Sequence, residues 1–290
     1  MESKEATNTS ILFIKNDALK ASLMYPKDIR YLILATYIYI QHCRMQFGSE
    51  HFISLIRLYA TLGRQKNYAS LNLIKHVIDI LSHVSMFNIK LVEPICTDNL
   101  TLNGYAIFES EPIENSFFKI SDDEFQKLYS TKYKNKPHLI FTYCVIVSHI
   151  FERRWGDSNE TRPEAWSASY IELSDQTGLS VPTLVNIVKE LQELKLICCK
   201  VPDTERLGKD YFIRIPTIYA RYGHNEELEY KYNQLASKFY KGCKKKSYKK
   251  KNVQNASVTP GQSDGNSDDD WDDAWGTEAA TDEWDDGYLE

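Results

Sequence analysis

Apolar residues between positions 180 and 194 recur at spacings of three and four, which places them on one face of a predicted helix. This apolar set comprises Leu184, Ile187, Val188, Leu191 and Leu194. A shorter helix is predicted over Tyr170–Thr177, and Gly178 follows it where the chain must turn sharply. Ser180 occupies the N-cap position of the second helix. The pattern therefore predicts two helices joined by a tight turn.

Two apolar segments that follow this helix pair predict a β-hairpin. They are Leu196–Val201 and Tyr211–Ile215, and the polar stretch 202–209 lies between them. Arg206 and Lys209 belong to this stretch, so we expect both side chains to project from the tip of the hairpin. Cations in such a place contact phosphates when a nucleic acid is the partner.

The same order of segments occurs earlier in the chain, which indicates an internal repeat. A long apolar helix predicted over Ile29–Arg44 corresponds to one over His138–Arg154. A helix predicted over Phe52–Leu62 precedes Gly63, and strands are predicted over Phe87–Val92 and Tyr105–Phe108. Between them, a helix is predicted from the apolar residues Leu71, Ile74, Val77, Ile78 and Leu81.

The polar faces of the two central helices supply candidate binding residues. A recognition helix presents its amino-terminal residues to the major groove, so Thr183 and Asn186 are candidates for reading bases and Lys189 for contacting phosphate. The first half offers a second candidate DNA-binding face, made of Arg64, Lys66, Asn67, Asn72 and Lys75. An alternative interpretation is that the first half mediates formation of a homodimer.

The segment from Tyr170 to Ile215 resembles the winged-helix family in its glycine turn, Ser-x-x-Thr helix start, leucine-spaced helix and basic hairpin. Two such units, each after a long apolar helix, look like the replication initiators and replisome-organising proteins of bacterial plasmids and mobile elements. This broader resemblance covers residues 11–222 in architecture only. It implies that the protein binds origin DNA and recruits host replication proteins.

The predicted fold is mainly α with small β-wings, an α+β class, with two tandem winged-helix domains and a disordered acidic tail. The predicted divisions are 11–120 for the first domain, 121–222 for the second, 223–251 for a helix and lysine-rich segment, and 252–290 for linker and tail. Ser121–Glu124 has the Ser-x-x-Glu pattern of a capping box, which explains its acidic residues better than a metal site does. A surface loop is predicted over Trp155–Trp166.

Charge is divided unevenly along the chain. All 35 Lys and Arg residues precede position 252, whereas 12 of the 40 Asp and Glu residues follow it and only 28 precede it. A basic body with an acidic tail is typical of nucleic-acid-binding proteins.

The six cysteines form no Cys-x-x-Cys pair or Cys/His cluster, and no long uncharged apolar run or signal segment is visible. We therefore expect reduced thiols, no metal or other cofactor, no membrane contact and a cytoplasmic location.

The C-terminal region contains a predicted helix, a lysine cluster and the acidic tail. The helix is predicted over Glu226–Tyr240, and eight lysines lie in Lys238–Lys251. We favour phosphate contact for the lysines over a solvating role, and assign it to Lys244, Lys245, Lys246, Lys249, Lys250 and Lys251. In the tail, acidic residues alternate with Trp271, Trp275 and Trp284. This segment is interpreted either as a peptide that docks on a partner or as a DNA mimic that restrains the lysines.

The functional expectation is sequence-specific binding of double-stranded DNA. The sequence has no phosphate-binding Gly-x-x-x-x-Gly-Lys-Ser/Thr loop, Gly-x-Ser-x-Gly elbow or His-Glu-x-x-His helix, so an enzyme is not expected. The favoured role is initiation of replication, with host replication proteins as partners of the tail. A transcriptional regulator is the first alternative. A winged-helix adaptor that binds protein and no DNA is an alternative of a different class.

Overall fold

The computed structural model describes residues 10–94, 96–111, 113, 116–150, 164–202, 205–206, 212–213 and 215–244. Within these ranges helices predominate and the strands form small antiparallel sheets, so the fold is mixed α and β. None of the described helices is both long and apolar enough to cross a lipid bilayer.

The first half of the chain forms a unit that we call the first repeat. Its sheet has β4 in the centre, paired antiparallel with β2 and β3, and Phe108 lies opposite both His51 and Leu91. Its elements are β1 (Ile11–Lys15), α1 (Asn16–Leu23), α2 (Lys27–Phe47), β2 (Glu50–Ser54), α3 (Leu55–Thr61), α4 (Tyr68–His83), β3 (Ile89–Glu93) and β4 (Tyr105–Ser110).

The second repeat follows with the same order of elements and one addition. Its sheet has β10 in the centre, with Tyr219 opposite Trp166 of β6 and Cys199 of β7. The addition is a short ribbon in which β8 pairs with β9. The elements are β5 (Phe117–Ser121), α5 (Asp122–Ser130), α6 (Lys136–His149), β6 (Ala165–Ala168), α7 (Tyr170–Thr177), α8 (Val181–Glu193), β7 (Ile197–Lys200), β8 (Glu205–Arg206), β9 (Phe212–Ile213) and β10 (Thr217–Arg221).

The internal repeat predicted from the sequence is confirmed at the level of element order. In each repeat a strand and a helix precede the long helix, and a strand, two helices and the remaining strands follow it. In both sheets the last strand lies between the other two. The first strands of the two repeats, β1 and β5, pair with each other antiparallel, with Ile11 opposite Ser121. The repeats therefore share a ribbon as well as a topology.

The long helices α2 and α6 form the centre of the hydrophobic core. Every residue from Tyr31 to Ile38 in α2 and from Leu139 to Val147 in α6 is buried. A helix that is apolar on all sides must be enclosed by other elements. Accordingly, α2 contacts α1, α4 and α6, and α6 also contacts α5, α7 and α8. One continuous cluster of buried side chains extends through both repeats.

Two buried tyrosines join the repeats in opposite directions. Tyr31 of α2 donates a hydrogen bond of 3.0 Å to the carbonyl of Thr177 at the end of α7. Tyr129 of α5 donates one of 2.7 Å to the carbonyl of Ala35 in α2. Burial raises the pKa of both phenols, so each stays a neutral donor at physiological pH. Each repeat thus satisfies a backbone acceptor of the other.

Each long helix also reaches the interhelical turn of the opposite repeat. The turns contain Gly63 between α3 and α4 and Gly178 between α7 and α8, with φ angles of 67° and 75°. A Cβ atom on Gly178 would lie 3.0 Å from Nη1 of Arg30 in α2. One on Gly63 would lie 3.7 Å from Cγ of Lys136 in α6. The start of each long helix therefore packs on the opposite turn.

A final helix, α9 (Asn225–Lys244), covers the outer face of the second sheet. Leu228 is buried against Ile218 and Ala220 of β10. At its edge, Lys200 forms an ion pair with Glu229 at 2.6 Å. The helix predicted over Glu226–Tyr240 is thus confirmed.

The helix predicted over Phe52–Leu62 is wrong in its first three residues. Glu50–Ser54 form β2, and α3 begins at Leu55. Along β2, His51 and Ile53 are buried while Glu50 and Phe52 are exposed, which is the alternation of a strand. The segment predicted as one helix therefore consists of two elements, a strand and a shorter helix.

Two further strands of the second sheet differ from the predictions. The loop predicted over Trp155–Trp166 is wrong at its end, because Ala165 and Trp166 begin β6, whereas residues 151–163 lie outside the described residues. Of the strand predicted over Tyr211–Ile215, Phe212–Ile213 form β9 and pair with β8, whereas Ile215 lies outside the strand. The strand that completes the sheet is β10, which the sequence analysis did not predict.

The capping box predicted at Ser121–Glu124 is confirmed. The Ser121 hydroxyl accepts a hydrogen bond from the Glu124 amide at 3.2 Å, and the Glu124 carboxylate accepts one from the Ser121 amide at 2.7 Å. The other Glu124 oxygen pairs with Arg221 of β10 at 2.6 Å, and both side chains are largely buried. Glu124 therefore connects the start of α5 to the second sheet.

We predict that Glu124→Ala lowers the free energy of unfolding by about 2–4 kcal/mol, because it removes half of the capping box and the carboxylate that pairs with the largely buried Arg221. The matched control is Asp123→Ala, which removes an exposed ion pair with Lys127 one turn further along α5. The control should change stability by less than about 0.5 kcal/mol. Chemical denaturation measures both, and equal losses would contradict the role given to Glu124.

A second prediction concerns the two glycine turns. Gly63→Ala and Gly178→Ala should each cost roughly 1–2 kcal/mol, because an alanine is strained at these positive φ angles. The loss should be larger at position 178, where the new methyl group displaces Arg30, than at position 63, where its contacts are ordinary. Equilibrium unfolding of both variants tests the order, and a larger loss at position 63 would refute the packing described for Gly178.

Candidate nucleic-acid interface

Helix α8 buries one face and exposes the other, as its sequence predicts. Leu184, Ile187, Val188 and Leu191 are buried in the shared core. The opposite face exposes Val181, Pro182, Val185, Asn186 and Lys189. This surface contains three apolar residues, Val181, Pro182 and Val185, and two polar ones, Asn186 and Lys189. It includes two of the three residues that the sequence analysis assigns to DNA on this helix.

Asn186 and Lys189 lie on α8 with their polar groups free. Both side chains are exposed, and neither makes a hydrogen bond or an ion pair with any described residue. An amide offers a donor and an acceptor together, which suits the two adjacent groups on an adenine edge. An ammonium group beside it suits a phosphate. The two side chains are therefore available for an external partner.

Thr183 is more constrained than its neighbours. It is partly buried, and its hydroxyl lies 2.9 Å from the hydroxyl of Ser180. Ser180 occupies the N-cap position with an extended backbone, but its side chain does not bond to a backbone amide of α8. The expected capping bond is thus replaced by the bond to Thr183. The two hydroxyls together leave one free donor for a partner.

The basic hairpin of the second repeat is described only in part. Arg206 lies on β8 opposite Phe212 of β9, so it belongs to a strand and not to the hairpin tip where it was predicted. The predicted pairing of Leu196–Val201 with Tyr211–Ile215 is also wrong, because β7 pairs with β10. Lys209 lies outside the described residues. Lys244 is the last residue of α9, and Lys245, Lys246, Lys249, Lys250 and Lys251 lie outside the described residues, as do Trp271, Trp275 and Trp284.

The candidate residues of the first repeat divide into two groups. Arg64, Lys66 and Asn72 are exposed around the start of α4. Asn67 is the N-cap of α4 and accepts a hydrogen bond from the Ser70 amide at 2.8 Å. Lys75 is partly buried and donates to the carbonyl of Asp98 at 2.8 Å. The side chains of Asn67 and Lys75 thus have structural contacts that the sequence did not reveal.

A cleft of about 210 Å³ lies between α2, the Gly63 turn and the start of α6. Its charged and titratable lining residues are Asp28, Arg64, Lys134 and His138, with Tyr31 at its wall. Burial, and secondarily the charge of Arg64, lower the pKa of His138, so this imidazole is neutral at physiological pH. The cations therefore come from Arg64 and Lys134, which lie far apart in the sequence.

The cations contributed by the long helices were missed by the sequence analysis. Lys27 and Arg30 lie at the start of α2, and Lys136 lies at the start of α6. Arg30 falls in the helix predicted over Ile29–Arg44, which was interpreted only as a core helix, whereas Lys27 and Lys136 precede the two predicted long helices. Their positions beside the opposite turns follow from the packing of α2 on α6. A cation in the first turn is the only local signal, and it opposes the helix dipole.

Metal and thiol chemistry have little support in the described part of the chain. There, no group of three His, Cys, Asp or Glu side chains is placed to hold a metal ion. Burial raises the pKa of the thiols of Cys43 and Cys199 to about 11, so both are protonated at neutral pH. A protonated thiol is a poor nucleophile and a poor metal ligand.

Comparison with known proteins leaves this interface to be interpreted from its own chemistry. No protein-family model, curated protein or solved structure matches the chain. The chain itself offers the repeated topology, the free polar side chains on α8 and the cations at the two turns. All three are properties of the described residues.

Proposed function

We propose that both repeats are winged-helix domains and that the protein binds double-stranded DNA in a sequence-specific manner. The observation that carries the proposal is the exposed surface of α8, on which Asn186 and Lys189 have no intramolecular partner. In this arrangement α8 is the recognition helix and the β8–β9 ribbon is the wing. Asn186 reads a base edge, while Lys189 and Arg206 contact phosphates.

The order of elements supports this assignment. A winged helix consists of a helix, a strand, two helices joined by a turn, and a hairpin whose last strand lies in the middle of the sheet. The second repeat has these parts from α6 to β10, and the first has them from α2 to β4. The surplus of basic residues before position 252 adds an electrostatic attraction to DNA of any sequence.

The biological role that we propose is initiation of replication on a plasmid or mobile element. Two winged helices in one chain resemble the initiators of such elements, which bind origin DNA and recruit host replication proteins. In this proposal the tail with Trp271, Trp275 and Trp284 docks on a host protein. Footprinting of the full-length chain on the DNA beside its own gene tests this role. Protection of repeated sites near an A·T-rich segment is expected, and a single protected site over a promoter would favour a transcriptional regulator.

We predict that Asn186→Ala relaxes sequence preference at one base pair and costs roughly 1–3 kcal/mol of binding free energy at that site. Lys189→Ala should instead weaken binding to all duplexes about equally, because a phosphate contact carries no sequence information. Binding to a selected duplex and to single-base variants, at two salt concentrations, separates the two effects.

The control for both variants is Gln192→Ala, which removes an exposed amide from the last turn of the same helix. This variant should bind DNA as the unmodified chain does. If all three variants bind every duplex with unchanged affinity, α8 does not read DNA. Failure of the unmodified protein to bind any duplex even at low salt would support the protein-interaction adaptor instead.

A further inference from the structure

The start of each long helix brings two cations to the turn of the opposite repeat. At Gly178, a Cβ atom would lie 3.0 Å from Nη1 of Arg30 and 3.5 Å from Cε of Lys27. At Gly63, it would lie 3.7 Å from the Lys136 side chain and 3.9 Å from the backbone oxygen of Lys134. The two turns are therefore flanked by basic residues from the other half of the chain.

Within each pair, one cation is held by a carbonyl and the other is free. Arg30 donates from Nε to the carbonyl of Tyr25 at 3.0 Å, and Lys136 donates from Nζ to the carbonyl of Tyr129 at 2.8 Å. Lys27 and Lys134 are exposed, and neither has a hydrogen bond or ion pair from its side chain to a described residue. The same division of roles thus occurs at both turns.

The free cations lie near the turns that precede α8 and α4. Gly178 precedes the first residue of α8 by three positions, so Lys27 and Arg30 are close to the amino-terminal end of this helix. At the other turn, Lys134 and Arg64 line the cleft described above. Concave sites with an excess of one charge concentrate the opposite charge. Asp28 is the only carboxylate among the cleft-lining residues, and the two cations outnumber it.

We infer that Lys27 and Lys134 contact the DNA phosphates beside the recognition helix of the opposite repeat, so that each half of the chain completes the DNA-binding surface of the other. Arg30 and Lys136 position the chain at these contacts through their carbonyl bonds. This inference rests on the proposed function, because it takes α8 and α4 as the helices that meet DNA. It adds residues that lie outside both helices and both hairpins.

The test uses the full-length chain with Lys27→Ala, Lys134→Ala and the double variant. Each single variant should bind a selected duplex and an unrelated duplex about three- to tenfold more weakly at 0.1 M salt. The slope of log affinity against log salt should become shallower by about 0.9 for each lost contact. Asp28→Asn should have the opposite effect and strengthen binding, because it removes a negative charge from the cleft.

The matched control for each single variant is Lys20→Ala, which removes one positive charge from an exposed position on α1, outside both hairpins. Its salt slope should stay within about 0.3 of the unmodified value. A Lys27/Lys134 slope no shallower than that of this control overturns the inference. If Asn186→Ala still relaxes specificity in that case, the proposed function stands without the inference. If Asn186→Ala does not relax specificity, both the inference and the proposed function are refuted. Thermal unfolding of each variant confirms that the fold is retained.

Discussion

The packing of α2 against α6 determines the placement of every surface that could contact DNA. Tyr31 lies at its centre, because its ring packs edge-on against His138 and Phe141 and its hydroxyl bonds to the Thr177 carbonyl. Tyr129 makes the reciprocal bond to Ala35. Each bond contributes only about 1 kcal/mol, but a buried carbonyl without a partner costs more. Rotation of one repeat against the other would break both bonds and would leave the carbonyl of Thr177, at the end of α7, without its hydroxyl donor, so the two bonds favour one orientation of α4 relative to α8.

This constraint explains why the turns are so closely packed. A Cβ atom added to Gly178 would lie within 3.5 Å of the Arg30 and Lys27 side chains, and one added to Gly63 would lie 3.7 Å from the Lys136 side chain. A turn that receives a helix end from the other repeat cannot move independently, which pre-organises the helix that follows it. Pre-organisation lowers the entropic cost of binding. The packing of the helix starts on the opposite turns also brings cations of both repeats together. Arg64 of the first repeat and Lys134 of the second line the same cleft.

The sequence predicts the helices that have a clear apolar period, but it does not predict the shortest strands. The helices at 170–177 and 181–193 follow from apolar spacing, a glycine turn and a serine at the N-cap position. In contrast, β6 has the sequence Ala-Trp-Ser-Ala, which is too short to show alternation, and β2 joins α3 without an intervening turn. The candidate binding residues show the same difference between local patterns and contacts that are distant in the sequence. Asn186 and Lys189 could be predicted from one helix, whereas Lys27 and Lys134 reach the surface through contacts between residues more than 70 positions away.

The two repeats share a topology, but the polar side chains of α4 and α8 make different contacts. This difference separates the proposed roles of the two repeats. On α8, Asn186 and Lys189 are free, whereas on α4 Asn67 caps its own helix and Lys75 holds the Asp98 carbonyl. A side chain that already satisfies a backbone group loses that bond when it turns toward a base, so base contacts by Asn67 or Lys75 would carry a cost that contacts by Asn186 and Lys189 do not have. On α4 this cost is absent for Asn72, which is exposed. The first repeat retains Arg64 and Lys66 at its turn, which suits it to contacts with phosphate that are independent of sequence.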